Sequence, residues 1–230
     1  MEYLQNCLYI NLNHRTDRCE HVEEQLSNMG IPGTRFSAIK MDDGAVGCTF
    51  SHIKCLEIAK EKGWEHVFIC EDDIHFLDPE TFKTSFRQFI DSGIDWDVIL
   101  VAGNNSIPYQ VVSPFCIKVY NCQTTTGYVV KREYYDTLIS NYREGVTNLL
   151  RNPRNRREFA LDIYWKRLQN TGKWFLITPI TVSQLAGYSD IECRDTDYGA
   201  LMTSISKEWL FQPRRQPYET NSLSDKTTTP

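Results

Sequence analysis

The chain has 230 residues, 41% of them hydrophobic, which is enough to bury one sizeable globular core. Its formal net charge of −5 excludes a general nucleic-acid binder, whose surface has to be basic. No run of about 18 apolar residues occurs, so no transmembrane helix is expected.

Met1 to Asn6 has neither a basic leader nor an apolar stretch, so it reads as the start of the fold and not as a signal peptide. A cytoplasmic location is the expectation. Cys7 to Leu12 forms an apolar first strand, central in the sheet. Asn13 to Arg18 then turns into a helix with Cys19, Val22, Leu26 and Met29 on one face, ended by Gly30 and Pro32. Thr34 to Ile39 reads as a second strand. Val46 to Lys62 carries Val46, Phe50, Ile53, Leu56 and Ala59 on one helical face, and Gly63 stops it.

His66 to Cys70 is a third, buried strand that runs into Glu71-Asp72-Asp73. Asp78-Pro79-Glu80 supplies a helix cap with proline in the first turn, and Phe82, Phe86, Phe89 and Ile90 mark the buried face that follows. Asp95 to Val101 is a fourth strand, with a loop over residues 103–106. This βαβαβαβ rhythm belongs to an α/β domain, a mainly parallel sheet with helices on both faces. Shorter strands over 115–121 and 125–131 come next, then a helix through Tyr135, Leu138, Ile139 and Tyr142. Residues 143–157 lack periodicity and include Arg151, Arg154, Arg156 and Arg157. A helix from about 158 to 169 and two short strands within 173–182 complete the pattern. One domain over 1–211 is expected, followed by a polar tail, 212–230, expected to be disordered.

The acidic triplet is the most informative stretch. Three adjacent acids at a buried strand end are costly to desolvate without positive charge beside them, and ligands of open α/β sheets gather at the carboxyl ends of strands. A hard divalent cation, Mn²⁺ or Mg²⁺, is the simplest occupant, its coordination completed by water and phosphate oxygens. In an extended segment Glu71 and Asp73 point one way and Asp72 the other, which makes Asp73 and Glu71 the metal ligands and Asp72 a brace. The alternative is that the acids cap whatever follows. His75 reaches the same side only if the strand continues.

Asn11 and Arg15, at the end of the first strand, either hold the base and phosphate of a nucleotide or pair locally around a helix cap. Gly47 to Cys48, with Thr49, Phe50, Ser51 and His52, opens the second helix near the same edge, where a small-residue start can approach a ligand closely. A lone histidine such as His52 is nonetheless more often a satisfied core residue than a ligand. The eight cysteines include no C-x-x-C pair, which favours reduced thiols over a disulfide frame or a zinc site. Neither a phosphate loop, a dinucleotide fingerprint nor a nucleophile elbow is present. A metal is left as the economical holder of a diphosphate.

Ile10-Asn11-Leu12 with Arg15 and Asp17-Arg18, Gly44 to Cys48 with Ser51-His52, Glu71-Asp72-Asp73, Thr126-Gly127-Tyr128 and Tyr188 to Glu192 occur in this order. As an ordered set over roughly 6–205 they resemble glycosyltransferase family 25, which includes bacterial lipooligosaccharide galactosyltransferases, collagen hydroxylysine galactosyltransferases and short viral relatives. The resemblance implies a single domain of GT-A type with its metal site at a strand end. It implies an inverting transfer of galactose, or glucose, from a UDP-sugar to a glycan or hydroxylysine-type hydroxyl. Thr126, Gly127 and Tyr128 would then approach the sugar. Inversion requires a general base on the acceptor side, and Asp162, Asp190 and Asp97 are the candidates. The resemblance favours Asp162. Trp96, Trp165 and Trp174 are either sugar platforms or core. Two other readings stay open: a catalytically silent glycan- or nucleotide-binding relative, and a metal-dependent nucleotidyltransferase using the Arg151–Arg157 stretch as its triphosphate clamp.

Overall fold

A strand with no wet face needs helices above and below it, and β1 (Cys7–Asn11) is buried at every residue. In the computed structural model, which describes residues 2–210, β1 pairs in parallel with β2 (Gly33–Ser37) and with β3 (His66–Glu71). Alternation divides its side chains between two cores. Cys7 and Tyr9 join the core under α1 (Thr16–Met29) and α3 (Pro79–Asp91). Leu8 and Ile10 join the core under α2 (Gly44–Glu61) and α4 (Tyr135–Arg151). The expected α/β class is the observed one.

The local signals act as anticipated. Gly30 closes α1 at φ 67°, in the left-handed region that glycine tolerates. Asp78 caps α3 by accepting from Thr81 N at 3.1 Å, with Pro79 in the first turn.

The parallel rhythm is interrupted at the middle of the sheet. Strand β5 (Val98–Asn105) does not lie beside β3; β8 (Cys122–Lys131) inserts between them, antiparallel to both. Beyond β5 come β9 (Trp174–Ile177), parallel to it, then β7 (Cys116–Val119) and the edge strand β6 (Tyr109–Ser113). The eight-stranded order is β2-β1-β3-β8-β5-β9-β7-β6, a mixed sheet whose β2-β1-β3 half is parallel. Two ribbons stand apart from it: β4 (Ile74–Phe76) with β10 (Val182–Gln184), and the hairpin β11 (Gly187–Ser189) with β12 (Arg194–Thr196).

Three expected elements differ. The loop expected over 103–106 is mostly strand, because β5 continues to Asn105 through two register shifts against β8. The stretch expected to be irregular from 143 is helix as far as Arg151 and buries Gly145, Val146 and Leu149. Gly145 lies there because Tyr164 packs on it: an added Cβ would sit 3.0 Å from the ring. The helix expected over 158–169 is three single turns, α5 (Arg156–Phe159), α6 (Leu161–Tyr164) and α7 (Lys166–Gln169). Ala160, extended at ψ 145°, breaks it. A last helix, α8 (Gly199–Thr203), brings Met202 into the first core. The expected tail, 212–230, lies outside the described residues.

Gly127 is a packing requirement of β8 and not an approach route for a sugar. A Cβ there would meet Ile74 Cδ1 at 2.9 Å and Phe68 Cε2 at 3.5 Å, and both residues are fully buried. Gly127→Ala is expected to destabilise the protein by about 1–3 kcal/mol through overpacking. Urea denaturation should show a lower midpoint at unchanged slope.

Candidate active site

The carboxyl ends of β1 and β3 open into a cleft of about 840 Å³. Its floor holds Glu71, Asp72 and Asp73; its walls come from the 38–42 loop, the start of α2, Gln123 to Thr125, Ala160 to Asp162, and the 184–191 segment. Strand β3 stops at Glu71, and the two aspartates occupy the turn into β4.

Each acid of the triplet has a distinct environment. Glu71 Oε1 accepts from Thr125 Oγ1 at 2.5 Å, lies 3.1 Å from His52 Nε2, and accepts from Cys48 Sγ at 3.8 Å. Burial works against its charge, yet His52 and Thr125 bring its pKa below the ordinary value. Asp72 Oδ2 accepts from Asn11 Nδ2 at 2.8 Å and its Oδ1 from Arg18 Nη1 at 3.1 Å; burial still leaves its pKa raised. Asp73 Oδ2 accepts from the same Arg18 nitrogen at 3.3 Å and from Gln184 Nε2 at 3.4 Å. Its Oδ1 is buried with no hydrogen-bond partner among the described residues. Burial and the neighbouring charges of Glu71 and Asp72 push Asp73 to about 8, against the pull of Arg18.

That environment fits a divalent cation. A buried carboxylate oxygen without a donor carries a desolvation cost of about 1–3 kcal/mol or more, and one guanidinium serves two aspartates. A hard cation at Asp73 Oδ1 is the partner that would relieve both deficits.

The other predicted residues divide into those that face the cleft and those that hold it in shape. Asp162 lines the cleft; its Oδ2 accepts from Thr124 N at 3.0 Å, and burial pushes its pKa up. Asp190 lines it too, ion-paired to Arg15 Nη1 at 2.6 Å and 3.3 Å from His14 Nε2. Ser51 reaches the lining, but its hydroxyl is taken, donating to Gly47 O and accepting from Ile39 N at 2.8 Å each. Asn11 is buried: its amide donates to Asp72 and to Arg15 O, and its oxygen accepts from Arg35 Nη2 at 2.7 Å. Arg15 grips Asp17 with Nε and Nη2, while its Nη1 holds Asp190 and Tyr188 O.

Several expectations are corrected by position. Tyr128 is fully buried, its hydroxyl 2.7 Å from His52 Nδ1, so it is core and not a wall for a sugar. Thr126 and His52 are equally buried. Asp97 sits at the other end of β5, where it accepts from Lys173 N at 2.8 Å. His75 stacks on His21 at 5.6 Å between ring centres, away from the triplet oxygens. Trp96, Trp165 and Trp174 are buried core.

Arg18, expected at most to pair with Asp17 or Glu20, and Thr125, Gln184 and Cys48, which had no expected role at the triplet, all touch it. Arg18 stood within a quoted motif, but its partners are 54 and 55 residues away.

The Arg15–Asp190 pair generates a pH prediction. Burial opposes the Asp190 charge, but Arg15 and His14 hold its pKa below the ordinary value. A depressed carboxylate stabilises the fold above its unfolded pKa of about 3.9 and loses that contribution as pH falls through the folded value. Asp190→Asn should therefore cost about 1–2 kcal/mol at neutral pH, between an exposed ion pair and a charge-assisted hydrogen bond. Denaturation midpoints of the two proteins should converge as pH falls through the folded-state value of Asp190, where the wild-type carboxylate becomes neutral.

Residues 40–110 match the family model described as glycosyltransferase family 25 (LPS biosynthesis protein). A curated Haemophilus influenzae protein named "Putative glycosyltransferase" is 30% identical over 88 residues, which is 29% of this chain and 31% of that protein. The match thus spans about a third of the relative's length. Solved structures overlap more loosely. A glycosyltransferase involved in glycosylation of the major capsid of PBCV-1 aligns at TM-score 0.46 and 14% identity, over 74% of this chain and 80% of that one. The Drosophila β-1,4-galactosyltransferase 7 mutant in complex with manganese, UDP-Gal and xylobiose aligns at TM-score 0.41 and 10% identity, over 93% and 81%. The segment 40–110 is therefore similar to glycosyltransferase family 25, and the curated relative that matches over 88 residues carries a glycosyltransferase name.

Proposed function

We propose that the chain is a divalent-cation-dependent, inverting glycosyltransferase that moves a hexose, galactose or glucose, from a UDP-sugar to a hydroxyl of a glycan or hydroxylysine-type acceptor. The observation that carries this reading is the orphaned Asp73 Oδ1 in a cleft that also holds Asp162. Asp73, with Glu71 or a bridging water, would hold Mn²⁺ or Mg²⁺, which when bound neutralises charge on the UDP leaving group.

The remaining work falls to the chain. Asp162, its pKa raised and its orientation fixed by Thr124 N, takes the proton of the attacking hydroxyl. Asn11 shapes the diphosphate floor by holding Asp72, and Arg15 shapes the facing wall by holding Asp190. Thr125 and His52 keep Glu71 ionised beneath the donor. Arg156, one of the four arginines in the Arg151–Arg157 stretch that a nucleotidyltransferase could use as a triphosphate clamp, is paired with Asp43 at 2.9 Å and with Ile191 O.

UDP release from a panel of UDP-sugars, with and without Mn²⁺, separates this reading from a silent binding module. Turnover of a UDP-hexose only with metal is expected, and Asp73→Asn should remove the metal dependence of UDP binding. Equal UDP affinity with and without metal in the wild type would overturn the reading. Asp162→Asn should keep UDP affinity and lose transfer by about 10²-fold or more, the usual reach of a general base. If Asp162→Asn transfers normally while Asp190→Asn is inactive with its fold intact, the base is Asp190.

A further inference from the structure

Glu71 keeps company of a different chemistry from Asp73. A Cys48 sulfur, a His52 nitrogen and a Glu71 oxygen all lie within 4.8 Å of one another. Cys48 and His52 are separated by one helical turn on α2, so they share a face. Glu71 arrives from the end of β3, 3.1 Å from His52 Nε2 and 3.8 Å from Cys48 Sγ. Cys48 and Glu71 line the cleft, which gives an ion a route in; His52 is fully buried behind them.

The second nitrogen of His52 is also engaged. Nδ1 lies 2.7 Å from Tyr128 OH, which accepts in turn from Tyr142 OH at 3.5 Å. A histidine whose outer nitrogen is bonded to a polar group has its ring orientation and tautomer fixed, as metal-ligating histidines do. Tyr128 OH can donate to Nδ1 when Nε2–H faces Glu71. It can accept from Nδ1–H when Nε2 carries an ion. The same frame serves both states.

We propose that Cys48, His52 and Glu71 form a site for a borderline-soft cation of the Zn²⁺ class in the floor of the cleft, different in donor chemistry from the hard-cation position at Asp73, with which it shares Glu71 as a candidate ligand. One sulfur, one imidazole and one carboxylate make a zinc-type donor set, and three protein ligands leave a fourth position open to the cleft. Mg²⁺ and Mn²⁺ prefer all-oxygen surroundings. On binding, the Cys48 thiol gives its proton to solvent and the thiolate becomes the ligand. The functional consequence rests on the transferase reading: Zn²⁺ would draw Glu71 from its contact with His52, occupy the donor floor and inhibit transfer.

The test uses Co²⁺ as the spectroscopic probe on the reduced full chain. One equivalent should produce a near-ultraviolet thiolate-to-Co²⁺ charge-transfer band that Zn²⁺ abolishes by displacement. The band should vanish in Cys48→Ser, a near-isosteric change whose folding is checked by circular dichroism. It should persist in Asp73→Asn and in Cys193→Ser, which removes the exposed cysteine. Absence of the band in the folded wild type, its survival in Cys48→Ser or its loss in Cys193→Ser would each overturn the site. Zn²⁺ inhibition of transfer should be at least about tenfold weaker in Cys48→Ser, the scale of losing support for a bound metal. A chain that shows the band but transfers no sugar would sink the transferase reading and leave the site standing.

Discussion

Burying three adjacent carboxylates at the end of one strand is the constraint from which the rest of this site follows. Isolated, each would cost several kcal/mol to remove from water, and the chain answers with partners drawn from distant elements. Arg18, on the first turn of α1, reaches Asp72 and Asp73. Asn11, the last residue of β1, donates to Asp72; Gln184, the last of β10, reaches Asp73; His52 and Thr125 serve Glu71. The supply is uneven. His52 and Thr125 lower the pKa of Glu71 against its burial, whereas Asp73 keeps one oxygen without a donor among the described residues. That unevenness, more than the count of acids, is what makes the strand end a site.

The antiparallel insertion of β8 belongs to the same solution. A purely parallel continuation would have placed β5 beside β3. Instead β8 runs back through the middle of the sheet and delivers Thr125 to Glu71 and the Thr124 amide to Asp162. Thr124 has φ 84°, a region that costs a β-branched residue about 1–3 kcal/mol and survives only where its surroundings over-determine it. The Asp162 carboxylate supplies one such restraint. The break at Ala160 starts α6 just before Asp162 and so allows that carboxylate to reach β8.

Much of the frame was legible because its signals are local. The β1 run, the apolar spacing of α1, the Asp78-Pro79 cap and the acidic triplet each act within a few residues. The misreadings have a common cause, which is that a distant partner decides the outcome. The stretch from 143 reads as irregular until Tyr164 is seen packed against Gly145. The resemblance pointed to Thr126 to Tyr128, yet the cleft-facing groups belong to the residues just before them, and Tyr128 serves His52 from the core. Arg15 and Asp190 were both singled out, but for separate tasks; they form one ion pair across 175 residues of sequence. The cysteine spacing argued against a zinc site because only the fold brings Glu71 to the Cys48 and His52 face of α2.

Arginines hold two backbone carbonyls of the wall opposite the triplet. Tyr188 O accepts from Arg15 Nη1 at 3.2 Å and from Arg18 Nη2 at 3.0 Å, and Ile191 O accepts from Arg156 Nη1 at 3.3 Å. Tyr188 and Ile191 are themselves largely exposed, so apolar burial contributes little to keeping this hairpin in place. Arg18 is therefore shared: its Nη1 serves the two aspartates and its Nη2 the hairpin backbone. A guanidinium with rigid, planar donors can hold both at once where a lysine could not. Arg18 thereby joins the floor of the cleft to its wall beside the Gln184 contact to Asp73, and the charge state of the triplet bears directly on how firmly the wall is held.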